Sequence, residues 1–186
     1  MTIKDKICVA TGNTQKFKEI RFHLNAVGVE AEQIRIDLEE IQTTDLQTLM
    51  THKLAQAYSA IQQPVICDDA GLWIEKYTHF PGTLTKFVIR GMGNRFLDLF
   101  NNGDKAILKA SLGYWDGHYH AIAEGKLKGQ LSKKGLSDLP PENPINHLFI
   151  PDGHSVCLNK VLHDPTFKSH RQQAIEALLN IIRRST

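Results

Sequence analysis

The stretch Ile7-Cys8-Val9-Ala10-Thr11-Gly12-Asn13-Thr14-Gln15-Lys16-Phe17 decides the fold. Its first residues are a short apolar run that ends at Gly12-Asn13, the pattern of a buried strand meeting a turn. Beyond the turn, Phe17, Ile20, Leu24 and Val27 recur at spacings of three, four and three. That is the period of a helix with one apolar face, with Asn13 or Thr14 as its N-cap and Gly28 as its stop. Strand, tight turn and helix in direct series open a βαβ unit.

Outward from this unit, residues 29–36 predict a weaker strand because polar residues interrupt it. Leu46, Leu49, Met50, Lys53, Leu54, Ala57, Tyr58 and Ile61 predict a second helix, capped by Asp45. Pro64-Val65-Ile66-Cys67 then predicts a buried strand that runs straight into Asp68-Asp69-Ala70-Gly71. Two short helices separated around Gly91 and Gly93 should follow. After them, residues 105–115 and 118–127 flank Asp116-Gly117, a dipeptide suited to a type I′ hairpin turn. The proline-rich segment 132–168 has little periodicity and reads as a long ordered or mobile loop. A last helix follows Ser169 as cap, with Ala174, Ala177, Leu178, Ile181 and Ile182 on its apolar face and Arg183-Arg184 at its C-terminal end. The order predicts an α/β protein with a mixed sheet, residues 1–186 forming a single domain.

Charge excludes some functions. With 22 basic and 20 acidic residues the net charge is +2, too small to argue for a nucleic-acid or membrane partner. Basic stretches such as 126–134 are the only support for nucleic-acid binding. Cys8, Cys67 and Cys157 are far apart and lack a Cys-x-x-Cys pair, so they read as buried or free thiols of a reducing compartment. Residues 1–6 lead directly into the first strand without an apolar segment long enough for a signal peptide or a membrane span, and the expected location is cytoplasmic.

Several constellations could carry chemistry. Residues Thr11, Gly12, Asn13, Thr14, Gln15 and Lys16 place hydroxyls, an amide and a lysine where a strand becomes a helix, whose free amides favour phosphate. An ordinary turn with a capping Asn gives the same sequence. Asp68 and Asp69 are adjacent: within a strand they point to opposite faces, whereas in a turn both could converge on one cation. Glu39-Glu40 offers a further carboxylate from an earlier loop, and hard oxygen donors of this kind suit Mg²⁺ completed by water and phosphate. Lys53 and Lys86 read singly as surface lysines. Ser169-His170-Arg171 combines a cap, a switchable imidazole and a planar donor fork. His118 and His120 share a strand face but lack a third ligand at zinc-like spacing.

Taken together, Thr11-Gly12-Asn13-x-x-Lys16-x-x-Glu19, Ile36-Asp37-Leu38-Glu39-Glu40-Ile41-Gln42, Asp68-Asp69-Ala70-Gly71-Leu72, Phe80-Pro81-Gly82 with Lys86, and Ser169-His170-Arg171 resemble the inosine triphosphate pyrophosphatase family. Their order and spacing match over nearly the whole chain. The resemblance implies a two-lobed α/β fold with a long curved central sheet, flanking helices and a nucleotide cleft between the lobes, usually as a homodimer. It also implies hydrolysis of inosine, deoxyinosine and xanthosine triphosphates to the monophosphate and pyrophosphate, with Mg²⁺, or Mn²⁺ in its place.

By that resemblance, residues 11–16 and Lys53 hold phosphates, and Glu40 and Asp69 hold the metal. Asp69 also orients or deprotonates the attacking water, supported by Asp68. Lys86, His170 and Arg171 lie near the nucleotide, the last two toward the base. The pattern departs at Asn143-Pro144-Ile145-Asn146-His147, where family members carry Phe-Gly-Trp/Tyr-Asp-Pro, so Ile145 and Asn146 replace the stacking aromatic and the base-reading Asp. The family's Glu-Lys-Asn before Ser-His-Arg is also missing, leaving Lys160 or Lys168 as substitutes for its lysine. The rival expectation is a nucleotide-binding protein without catalysis.

Overall fold

The computed structural model describes residues 6–78 and 80–184, so the reading of residues 1–5 lies outside the described residues. In chain order, β1 (Lys6–Ala10), α1 (Thr14–Asn25), β2 (Glu30–Ile34), α2 (Leu46–Ile61) and β3 (Val65–Ile74) form the βαβαβ start. Then come β4 (Pro81–Gly82), α3 (Thr85–Met92), a 3₁₀ helix (Gly93–Leu99), β5 (Lys105–Trp115) and β6 (His120–Leu131). The chain ends with α4 (Pro144–Leu148), β7 (Phe149–Pro151), α5 (Leu158–Val161) and α6 (His170–Arg184). The seven strands make a mixed sheet in the order β2-β1-β3-β5-β6-β7, with β4 beside β3. β1 is parallel to both β2 and β3, whereas β3–β4 and β6–β7 are antiparallel. No helix among the described residues is long and apolar enough to cross a membrane.

The chain divides into two compact units. Among the described residues, the first comprises 6–70, 110–125 and 170–184, and the second 71–78, 80–109 and 126–169. In the first, the alternation of each strand feeds two cores. Ile7, Val9 and Ile66 pack with Phe17, Ile20 and Leu24 of α1 and Ala174, Leu178 and Ile182 of α6. Cys8, Ala10, Val65 and Cys67 pack on the other face with Met50, Leu54 and Ala57 of α2. Strand β2 ends the strand order and is paired only with β1, which accounts for the polar residues that interrupt it. Gly125 allows the start of α6 to lie on β6: a Cβ there would fall 2.0 Å from the His170 carbonyl oxygen. All three cysteines are free, two of them buried.

The second unit is built around Leu72, Ile74, Phe96, Phe100, Leu131, Leu148, Phe149 and Leu158. Here the structure corrects the expected 132–168 loop. Three fully buried residues anchor it: Leu148 closes α4, Phe149 opens β7 opposite Leu131, and Leu158 begins α5. Elements this short show no sequence periodicity. A second correction concerns the hairpin. Only Gly117 takes a positive φ, 95°, so the turn is not the type I′ form. Asp116 instead uses its Oδ1 to accept the N–H groups of His118 and Tyr119 at 3.0 and 2.9 Å. His118 thus sits in the turn, and β6 starts at His120.

Candidate functional site

Strand β3 does not stop at Cys67 but continues through Asp68 and Asp69 to Ile74. The carboxylates therefore point to opposite faces of the sheet, each toward the helices that cover it. Asp68 follows Ile66 onto the α1 and α6 face. Its side chain is fully buried, with Lys16 Nζ of α1 at 2.5 Å from Oδ1 and Arg171 Nε of α6 at 2.9 Å from Oδ2. Arg171 Nη1 reaches back to Glu19 Oε2 at 2.5 Å. Lys16 and Glu19 lie three apart on α1, so one face of that helix supplies both ends of the network.

Burial alone would raise the Asp68 carboxyl, but Arg171 and then Lys16 reverse this and hold it well below the usual carboxylate range. The same carboxylate, with Glu19, outweighs the burial of Arg171 and keeps its guanidinium charged.

Asp69 follows Cys67 onto the α2 face. Lys53 belongs to the buried stripe of α2, with Leu46, Leu49, Met50, Leu54 and Ala57, because its spacing puts it there. It is 8% exposed, so the surface-lysine reading fails. A buried ammonium requires a partner, and Lys53 Nζ lies 2.6 Å from Asp69 Oδ2, 3.8 Å from Glu40 Oε1 and 3.4 Å from the Asp68 carbonyl. Burial would lower the Lys53 pKa, yet Asp69 and Glu40 raise it above its ordinary value. Asp69 is further oriented by the Ala70 N–H, which donates to Oδ1 at 2.7 Å.

Glu40 comes from the segment between β2 and α2. Gln56 holds this segment: its amide accepts the Glu39 N–H and donates to the Glu39 carbonyl, both at 2.9 Å. Sequence reasoning missed Gln56, and its position one turn after Lys53 on α2 was the available signal. It also left Glu19 outside the site, although Glu19 belongs to the motif that begins at Thr11.

In the 11–16 turn Asn13 caps α1. Asn13 Oδ1 accepts the N–H groups of Gln15 and Lys16 at 2.9 and 3.1 Å, and Asn13 N–H donates to Thr11 Oγ1. Gln33 Nε2 donates to the Thr11 carbonyl at 3.0 Å and ties the turn to β2. Gly12, Asn13, Thr14 and Gln15 are exposed. Lys86 and Asn146 belong to the second unit. There Lys86 Nζ lies 5.4 Å from the centre of the Phe87 ring, and Asn146 N–H donates to the Asn143 carbonyl within the start of α4.

His170 is not a switch near neutral pH. It is buried, its Nδ1 has no hydrogen-bond partner, and burial followed by the Arg171 charge lowers its pKa to about 3. The unfolded chain binds a proton here near pH 6.5 and the folded chain does not. The stability due to neutral His170 is therefore complete above pH 6.5 and declines as the pH falls toward 3. Replacing it by Gln should remove this component, up to roughly 3 kcal/mol at pH 4.5. Denaturant melts of both proteins between pH 7 and 4 measure it, and parallel slopes would contradict a buried neutral imidazole.

The fold and this cluster define a class: an α/β protein whose paired strand carboxylates are each neutralised by cations from the helices on their own face. The Ham1 family model matches residues 7–181, and the chain belongs to the Ham1 family. This is the family that the sequence motifs resemble. The chain is 27% identical to a dITP/XTP pyrophosphatase of Methanopyrus kandleri, over 92% of this chain and 93% of that protein. It is 30% identical to a dITP/XTP pyrophosphatase of Saccharolobus solfataricus, over 91% and 89% respectively. Among solved structures, a HAM1 protein from Coxiella burnetii shares the fold with a TM-score of 0.72 at 20% identity, covering 96% of this chain and 98% of that one.

Proposed function

We propose that this chain hydrolyses deaminated purine nucleoside triphosphates to the monophosphate and pyrophosphate, clearing them from the cytoplasmic nucleotide pool. The observation that carries the reading is the convergence of Asp69 and Glu40 on one cation, Lys53, in a member of the Ham1 family. Two carboxylates that face one positive charge are hard oxygen donors suited to Mg²⁺ or Mn²⁺. No group of three or more His, Cys, Asp or Glu side chains that could hold an ion exists among the described residues. Mg²⁺ is commonly held by one or two carboxylates with waters and phosphate oxygens completing its shell, and two such donors meet that need.

In this mechanism Glu40 and Asp69 would hold the ion. When bound, it would neutralise phosphate charge and polarise the bond to be broken. The chain's own residues do the rest. Lys16 and Lys53 would meet the triphosphate, whose transfer depends on positioning and charge neutralisation more than on covalent help. Asp69, oriented by the Ala70 N–H, would align the attacking water and take its proton at a carboxylate oxygen. Asp68 would fix Lys16 and Arg171 without touching substrate. A homodimer is part of the proposal and is checked by light scattering of the eluting protein.

The test is pyrophosphate release from inosine, xanthosine, adenosine and guanosine triphosphates with Mg²⁺ and with Mn²⁺. Release from at least one purine triphosphate is expected, and none from any would overturn the reading. Lys16→Ala should lower kcat/KM for all of them by a similar factor, because the ammonium meets phosphate rather than base. A change in base preference at constant average rate would remove Lys16 from the phosphate site. Discrimination between 6-oxo and 6-amino purines should be weaker than in a pocket with a carboxylate reader, which reaches roughly 10⁴–10⁵-fold. Asn146 carries both a donor and an acceptor, and Ile145 cannot stack as an aromatic ring does. Strict preference for inosine or xanthosine triphosphate would defeat that expectation.

A further inference from the structure

Lys53 has two uses that exclude each other. Its Nζ lies 2.6 Å from Asp69 Oδ2 and 3.8 Å from Glu40 Oε1, which is the position a divalent cation would take between the same carboxylates. An ammonium has only donors, so it can be no ligand to a metal and cannot share that position. We propose that Lys53 and a divalent cation compete for the place between Asp69 and Glu40, so that metal entry releases Lys53 to the triphosphate. The proposal rests on the metal assignment made above.

The geometry supplies both halves of the exchange. A divalent ion brings twice the charge of Lys53 to the same two carboxylates. The Lys53 stem lies in the apolar stripe of α2, with Met50, Leu54 and Ala57 around the same helix face, and leaves only its end to move. Asp68 is not drawn into the exchange, because Lys16 and Arg171 hold it on the opposite face. By reciprocity, a polyphosphate that takes Lys53 frees the carboxylates for the metal, and each should strengthen the other's binding. On this account Lys53 keeps the two carboxylates together in the free protein and couples their occupation to substrate.

Calorimetric titration of the full chain with Mn²⁺ alone tests this without reference to activity. Lys53→Met, which keeps the stem and removes the charge, should bind Mn²⁺ at least about tenfold more tightly than the parent, within the 5–150-fold usual for coupled sites. Adding Glu40→Gln to that variant should abolish the gain and so tie the ion to this carboxylate pair. Lys53→Arg, which keeps the charge, should not show it. Equal or weaker Mn²⁺ binding by Lys53→Met, with binding by the parent intact, overturns the competition and leaves the metal site standing. Absence of Mn²⁺ binding in every protein overturns both. Should Lys53→Met not fold, Lys53→Gln keeps a donor toward Asp69 without charge and carries the same expectation.

Discussion

Asp69→Asn should lower kcat by on the order of 10²–10⁴-fold, the usual contribution of a positioned acid or base, while the protein still folds. The amide is nearly the same shape as the carboxylate but keeps one oxygen where Asp69 uses two, so only one of the Lys53 ammonium and the Ala70 N–H keeps its acceptor there. Lys53 also retains Glu40 as a counter-charge. What disappears is the negative charge that would draw a cation and the basic oxygen that would take the proton from water. Stability should fall only modestly, because Lys53 keeps the charge of Glu40 and the Asp68 carbonyl beside it. Turnover measured beside thermal melting decides the matter. A well-folded variant with near-parental turnover would place the chemistry on another residue.

Asp68→Ala should act in the opposite manner, through the fold. Removing one member of a buried ion pair costs about 3–5 kcal/mol, because the remaining charge is left in a poorly solvated place. The lower end is expected here for two reasons. Lys16 is one quarter exposed and can turn to water, and Arg171 keeps Glu19. A loss of about 3 kcal/mol corresponds to a fall in Tm of roughly 6–12 °C for a chain of this length. Stabilities of folded domains are themselves only about 5–15 kcal/mol, so the loss is a large share of the total.

The parent protein should show the same network through its acid sensitivity. The Asp68 carboxyl is held below its unfolded value, so its contribution is complete above about pH 4 and is lost as the pH falls through the depressed native pKa. In Asp68→Ala that acid-dependent component should be absent. An unchanged Tm would mean that Lys16, Arg171 and Glu19 do not depend on the carboxylate between them.

Local sequence determined the elements of the first unit almost without help. The periodicity of Phe17, Ile20 and Leu24 made α1, Asn13 and Asp45 supplied the caps, and the apolar runs at Ile7 and Val65 made parallel strands. These follow from interactions within a few residues, so their signals lie in consecutive positions. The motifs likewise marked the family and most members of the charged cluster. In the second unit, by contrast, α4, β7 and α5 depend on Leu148, Phe149 and Leu158 finding a core made by distant strands, and no local period announces them.

Only the tertiary structure decided how the charges are shared. From sequence, Asp68 and Asp69 could be a turn pair on one ion or a strand pair on two faces. The continuation of β3 to Ile74, with Leu72 and Trp73 paired to β4, settles the second. Each carboxylate then receives whichever cation its own face provides. Arg171 reaches Asp68 across 103 positions of sequence, and Lys53 becomes a buried partner of Asp69 and Glu40 instead of a solvated end. A lysine and its neighbours spell the same letters in either case. Burial selects between them, because an ammonium out of water must have a carboxylate and the chain has to fold before one is within reach.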